Sequence, residues 1–139
     1  MKVKEIMHKR VEWVSPDTPL TALATKMLKH DVGAIPIGEK DRLVGMVTDR
    51  DIAIRGLANG RDISKLTARD VMTKPVIWCW DSDNAMNAAR LMENKKIRRL
   101  PVIDDNKRMV GMLSLGDISH AVSDQTAAEV IKAVSAHHA

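Results

Sequence analysis

The chain states one pattern twice. Lys4-Glu5-Ile6-Met7 recurs as Arg69-Asp70-Val71-Met72, Val11-Glu12-Trp13-Val14 as Val76-Ile77-Trp78-Cys79, and Ala34-Ile35-Pro36-Ile37 as Arg99-Leu100-Pro101-Val102. Positions 4 and 69, 11 and 76, and 34 and 99 all stand 65 apart. The spacing becomes 66 between Gly45-Met46-Val47-Thr48-Asp49-Arg50-Asp51-Ile52 and Gly111-Met112-Leu113-Ser114-Leu115-Gly116-Asp117-Ile118. The added residue falls in the turn Asp104-Asp105-Asn106-Lys107. Such a unit is longer than the roughly 20–50 residues of a solenoid repeat. It is also marginal as a lone domain, because a short chain buries too little of its surface. The expectation is two matched copies that pack on each other, with a ligand seat at their seam.

Of the 139 residues, 45% are hydrophobic and 29% charged, an ordinary globular balance. No apolar run approaches the ~20 residues of a membrane helix, and the first residues lack a signal-type stretch. A cytoplasmic protein without a membrane segment is expected. Cys79 is the only cysteine, so no internal disulfide forms. Its place in the apolar run Val76–Trp80 suits a small buried hydrophobe. Phe and Tyr are absent and only Trp13, Trp78 and Trp80 are aromatic, which argues against binding single-stranded nucleic acid by base stacking. The net charge of +4 is modest and mixed with acids, a solvated surface rather than a nucleic-acid footprint.

Each copy reads as strand–helix–strand–strand–helix. In the first, Val11–Val14 is β-branched and aromatic, and Ser15-Pro16-Asp17 breaks it. Thr18 is placed to cap a helix with Pro19 at its first position and Leu20, Leu23, Ala24, Met27 and Leu28 on one face. Asp31 and Gly33 end it. Ala34–Ile37 and Arg42–Val47 are strands joined by a turn, and Thr48 opens a helix that stops near Asn59-Gly60. The second copy repeats the order with a strand Val76–Trp80, a helix about Asn84–Asn94, strands Arg99–Ile103 and Arg108–Leu113, and a helix from Ser114. Boundaries follow: residues 1–60 first repeat, 61–67 linker, 68–123 second repeat, and 124–139 a tail helix with Ala127, Val130, Ile131 and Val134 on one side.

Thr48-x-x-Asp51 and Ser114-x-x-Asp117 are the most suggestive chemistry. Each follows a glycine-containing apolar strand and opens a helix. One reading is a capping box, and the same spacing at Thr67-x-x-Asp70 and Thr126-x-x-Glu129 favours it. The other is a ligand site, since a carboxylate at a helix start accepts hydrogen bonds from ribose hydroxyls. The second cluster is Lys95-Lys96-Ile97-Arg98-Arg99. Lys95 and Lys96 suit a helix C-terminus. Arg98 and Arg99 stand at a strand mouth, where Arg matches phosphate best. Repeat one has Gly33 and Ala34 there, so the copies are electrostatically unequal. None of His8, His30, His120, His137 and His138 has metal-ligand spacing, and the nine Met fall on apolar faces as core filler.

These residues resemble a tandem pair of cystathionine-β-synthase (CBS) domains, a Bateman module. The carriers are Asp31–Ile37 with Gly45–Ile52, and Lys96–Val102 with Gly111–Ile118. The likeness spans about residues 1–123 and is closest to small stand-alone bacterial members. It implies an α+β fold of two pseudo-twofold related repeats with two equivalent clefts, often paired into a homodimer. The ligands it implies are AMP, ADP, ATP, S-adenosylmethionine or NAD. Carried over by position, Thr48 with Asp51 and Ser114 with Asp117 each hold a ribose. Arg98 and Arg99, with Arg50, serve as phosphate ligands of the Asp51 cleft, and Gly33, Ala34 and Ile35 border the Asp117 cleft.

The expected function is a non-enzymatic regulatory module that binds an adenine nucleotide between the repeats and signals to a target protein. The alternative is a ligand-free dimeric interaction scaffold using the terminal helix as its contact face. Nucleic-acid binding through Lys95–Arg99 ranks below both. No nucleophile, general base, metal site or required cofactor is evident.

Overall fold

The computed structural model describes residues 1–9, 12–40, 42–74 and 76–136. The described elements are, in order, α1 (Val3–Ile6), α2 (Leu20–His30), β1 (Ala34–Glu39), β2 (Arg42–Thr48), α3 (Asp49–Asp51), a π-helix (Ile52–Leu57), a 3-10 turn (Ile63–Lys65), α4 (Ala68–Val71), β3 (Cys79–Trp80), α5 (Ala85–Lys95), β4 (Arg99–Ile103), β5 (Met109–Ser114), α6 (Leu115–Ala121) and α7 (Asp124–Ser135). This is the α+β, twice-repeated strand and helix order expected. The chain divides into two compact units, Glu12–Val76 and Met1–Val11 with Ile77–Ala139. The units are therefore not cut where the repeated sentences begin. The opening segment, with α1, belongs with the second repeat, and the segment carrying α4 belongs with the first.

In the unit Glu12–Val76, β1 and β2 form an antiparallel pair with Ala34 opposite Thr48 and Ile35 opposite Val47. α2 buries Leu20, Leu23 and Met27, three and four residues apart, on one face of the helix. Those side chains meet Ile35, Ile37, Val47, Leu66, Ala68, Val71 and Met72 in one core. α2 ends at Asp31, whose φ of 53° is left-handed and whose N–H donates to the Met27 carbonyl. Its N-cap is Pro19, not Thr18 as the sequence suggested. Thr18 is engaged elsewhere: its carbonyl accepts the Ala68 N–H at 2.9 Å and so fastens the start of α4.

In the other unit, β3, β4 and β5 form a sheet in that order, β3 parallel to β4 and β4 antiparallel to β5. Asn84 caps α5, its side-chain oxygen accepting the Met86 N–H at 2.8 Å. Lys96 ends α5 in the same left-handed conformation (φ 55°) that its match Asp31 adopts. The core joins Val3, Cys79, Ala88, Ala89, Met92, Leu100, Val102, Leu113 and Ile118 to Val130 and Val134 of α7. α7 packs on α5 and α6. It starts at Asp124, because Ser123 caps it by accepting the Thr126 N–H at 3.2 Å, so Thr126 lies inside the first turn rather than ahead of it. His137 and His138 lie outside the described residues.

The two first strands are shorter than expected. In repeat one, among the described residues, only Val14 pairs, as a single bridge to Ile37; Val11 lies outside them. In repeat two only Cys79 and Trp80 form a strand. The matched tryptophans explain a difference between the copies. Trp13 lies over Gly38, where an added Cβ would fall 2.0 Å from the ring. The match of Gly38 is Ile103, a branched side chain where repeat one has none. Trp78 instead meets Trp80 edge to face, ring centroids 4.7 Å apart, and stays exposed.

Candidate functional site

Each repeat ends its hairpin on a hydroxyl residue in extended conformation, and the next residue begins a helix. Thr48 Oγ1 accepts the Asp51 N–H at 3.1 Å while Asp51 Oδ2 accepts the Thr48 N–H at 2.9 Å. Ser114 Oγ accepts the Asp117 N–H at 3.0 Å and Asp117 Oδ2 accepts the Ser114 N–H at 2.8 Å. Both steps are reciprocal capping boxes. Thr67 and Asp70 form a third, and there the Thr67 N–H, with a smaller contribution from the Arg61 guanidinium, holds the Asp70 carboxyl below its ordinary value. The cap therefore engages Oδ2 of Asp51 and of Asp117 and leaves Oδ1 of each outside it.

The second oxygens of Asp51 and Asp117 are where the structure is informative. Both side chains are mostly buried, 13% exposed in each case, against 33% for Asp70. Asp51 Oδ1 lies 3.9 Å from Arg55 Nε, and the Thr73 hydroxyl stands 3.5 Å from both Asp51 oxygens. Arg55 is itself anchored, donating to the carbonyls of Val71 at 3.4 Å and Met72 at 3.1 Å. Asp117 Oδ1 lies 3.0 Å from His8 Nε2. His8 and Thr73 are 65 apart in sequence, so the same repeat position touches the acid in both copies. The sequence reading missed this pair, although each directly follows the repeated sentence that ends at Met7 and Met72. Arg55 was missed as well, although it stands four residues after Asp51, the spacing that brings helical side chains together.

The motif glycines hold these partners in place. A Cβ at Gly45 would fall 2.5 Å from Met72 Sδ, and one at Gly111 would fall 2.5 Å from Met7 Sδ and 2.7 Å from the His8 carbonyl oxygen. Met7 and Met72 are thus not general filler. Each fits against the bare backbone of its hairpin and sets the next residue on the acid.

The remaining candidates lie as follows. The Gly33 carbonyl accepts the Asp49 N–H at 3.0 Å, and Ala34 and Ile35 pair with Thr48 and Val47, so all three border the Thr48–Asp51 step of their own unit. The Arg98 carbonyl accepts the Leu115 N–H at 2.8 Å and Arg99 pairs with Ser114, so both border the Ser114–Asp117 step, with exposed side chains. Arg50 is exposed on α3, its N–H donating to Asp49 Oδ1 at 2.9 Å. Cys79 is buried, and burial, with a further push from the Asp83 carboxylate, raises its thiol to about 12. A thiol held protonated is a poor nucleophile. Among the described residues no group of three or more His, Cys, Asp or Glu is placed to hold a metal ion, and no helix is long and apolar enough to cross a membrane.

The chain is similar to the CBS domain-containing protein YhcV of Bacillus subtilis, 37% identical over 96% of this chain and 94% of that one. It is also 35% identical, over 85% of its length, to an uncharacterized protein of Methanopyrus kandleri, of which it spans 61%. Among solved structures, the CBS domain pair of protein MJ0100 in complex with 5′-methylthioadenosine and S-adenosyl-L-methionine superposes with a TM-score of 0.78 at 30% identity, covering 87% of this chain and 98% of that one. CBSX2 in complex with AMP superposes with a TM-score of 0.73 at 28% identity, covering 86% and 94%. The sequence model of the CBS domain matches residues 3–56 and again 68–124, the two halves that the internal repeat delimits. With that double match, and with YhcV alike over nearly its whole length, the chain belongs to the CBS domain family as a tandem pair.

Proposed function

We propose that this CBS pair is a non-enzymatic regulatory module whose ligand is an adenine nucleotide, AMP, ADP, ATP or NAD. The observation that carries the reading is the doubled hydroxyl–carboxylate step. In each repeat the cap uses one oxygen of a mostly buried acid and leaves the other facing a polar partner. A carboxylate oxygen so placed accepts a hydrogen bond from a ribose hydroxyl. Thr48 with Asp51 and Ser114 with Asp117 are the two sugar-binding pairs. Arg98 and Arg99 supply bidentate donors for phosphate, with Arg50 as a further cation. Gly33, Ala34 and Ile35 offer backbone and apolar surface to the base. The adenosine-bearing ligands of the MJ0100 pair and of CBSX2 support this ligand class.

Signalling follows from population shift. The ligand favours whichever conformation of the module binds it more tightly, by no more than its differential affinity, and a partner protein or second copy reads that conformation. Thermal unfolding with each nucleotide tests the reading. A ligand at 100 times its Kd is expected to add about 2.7 kcal/mol of stability. No shift with AMP, ADP, ATP or NAD contradicts it and favours a dimeric scaffold that needs no ligand.

A further inference from the structure

The two repeats place different chemistry on equivalent acids. Asp51 meets the Thr73 hydroxyl and the Arg55 guanidinium, neither of which changes charge near neutral pH. Asp117 meets His8 instead, Nε2 to Oδ1 at 3.0 Å. The position matching Arg55 in repeat two is Ala121, which has no charge. We propose that His8 is a proton-controlled plug on the Asp117 half-site, so that sugar binding there is set by pH while binding at Asp51 is not. The inference rests on the nucleotide-binding reading and adds its regulation.

The geometry supports the plug in three ways. First, the oxygen that His8 touches is the one the cap leaves over, since Oδ2 is bonded to the Ser114 N–H. A ribose hydroxyl and His8 therefore meet at the same oxygen. Second, the backbone of His8 is fixed, its N–H and carbonyl both bonded to Met112 at 2.9 Å. Its side chain is 73% exposed and free to swing off the acid when displaced. Third, the charges nearby do not short-circuit the pair. α1 and its following residues carry Lys4, Glu5 and Lys9, α6 carries His120, β5 carries no charge, and Arg98 and Arg99 open the neighbouring strand. Among the described residues none of these forms an ion pair with His8 or Asp117.

The sign follows. At low pH the imidazolium pairs with the Asp117 carboxylate, and a hydroxyl must displace an ion pair. Once the imidazole is neutral the attraction of opposite charges is gone, the plug weakens and the oxygen is released to a ligand. The step moves one proton from the His8 imidazolium to water, breaking one N–H bond and leaving its electron pair on nitrogen.

Adenosine is the probe, because it presents the ribose without a phosphate that would itself answer to the imidazolium. Binding is measured by calorimetry on two full-length variants, Asp51→Asn, which leaves the Asp117 half-site, and Asp117→Asn, which leaves the other. The first is expected to bind about fivefold more weakly near pH 5.5 than near pH 8, the scale of one exposed ion pair. The second is expected to change less than about twofold over that range. Adding His8→Thr to the first variant, which copies Thr73, is expected to abolish the response. Binding that is equally insensitive to pH in both variants, or a response that survives His8→Thr, overturns the plug and leaves the function intact. No adenosine binding by the unsubstituted chain at any pH overturns the plug, whereas the nucleotide-binding function falls only if AMP, ADP, ATP and NAD also fail to bind.

Discussion

Gly111→Ala is expected to destabilise the protein by about 1–3 kcal/mol, the range for overpacking a filled site. Gly45→Ala should cost distinctly less, although the two glycines occupy the same place in the repeat. At Gly45 the three atoms nearest the added Cβ all belong to the Met72 side chain, Sδ at 2.5 Å, Cγ at 3.0 Å and Cβ at 3.1 Å. An unbranched thioether can turn aside. At Gly111 the Cβ also meets the His8 carbonyl oxygen at 2.7 Å. That oxygen accepts the Met112 N–H at 2.9 Å, and His8 returns its own N–H to the Met112 carbonyl. Relief at Gly111 therefore requires breaking a backbone pair, not rotating a side chain. Urea unfolding of the two variants measures the difference. Equal losses would show that the opening segment does not seat against Gly111 as described.

Ile118→Ala is expected to cost about 2–5 kcal/mol, and Ile52→Ala about 1 kcal/mol. The two isoleucines follow Asp117 and Asp51 and match at a spacing of 66. Ile118 is fully buried, in a core that α7 helps to close with Val130 and Val134. Ile52 is only half-buried, packed at the side of its core. Among the described residues repeat one has no helix corresponding to α7. Its chain leaves the π-helix through Gly60, at φ 69°, into the short 3-10 turn. Chemical unfolding followed by circular dichroism compares the two. A loss at Ile52 as large as that at Ile118 would contradict the unequal covering of the two copies.

The strands, the long helices and the repeat itself were legible because each is written in local periodicity. α2 and α5 carry apolar residues three and four apart, and β4 and β5 carry short apolar runs around a Pro and a Gly. The hydroxyl–acid steps were legible as helix starts for the same reason. Apart from Arg55, four residues after Asp51, what stayed hidden is set by contacts distant in sequence. Thr18 looks like a cap but serves α4, and the first strands shrink to a bridge at Val14 and the pair Cys79–Trp80. The partners of the two acids lie 22 residues after Asp51 and 109 residues before Asp117. No local pattern spans such gaps. Only the register of the repeat links His8 with Thr73.

The central claim is that Asp51 and Asp117 hold the ligand's sugar. Calorimetric titration of AMP into the unsubstituted chain and into the Asp51→Asn/Asp117→Asn double variant tests it most directly. Asn keeps a side-chain oxygen for the Thr48 and Ser114 N–H groups, so both caps persist while the charged acceptor is lost. The account predicts saturable heat from the unsubstituted chain and an affinity about 10- to 100-fold lower in the double variant, the worth of hydrogen bonds to a charged group. The same Kd in both proteins, with the double variant folded, would contradict it.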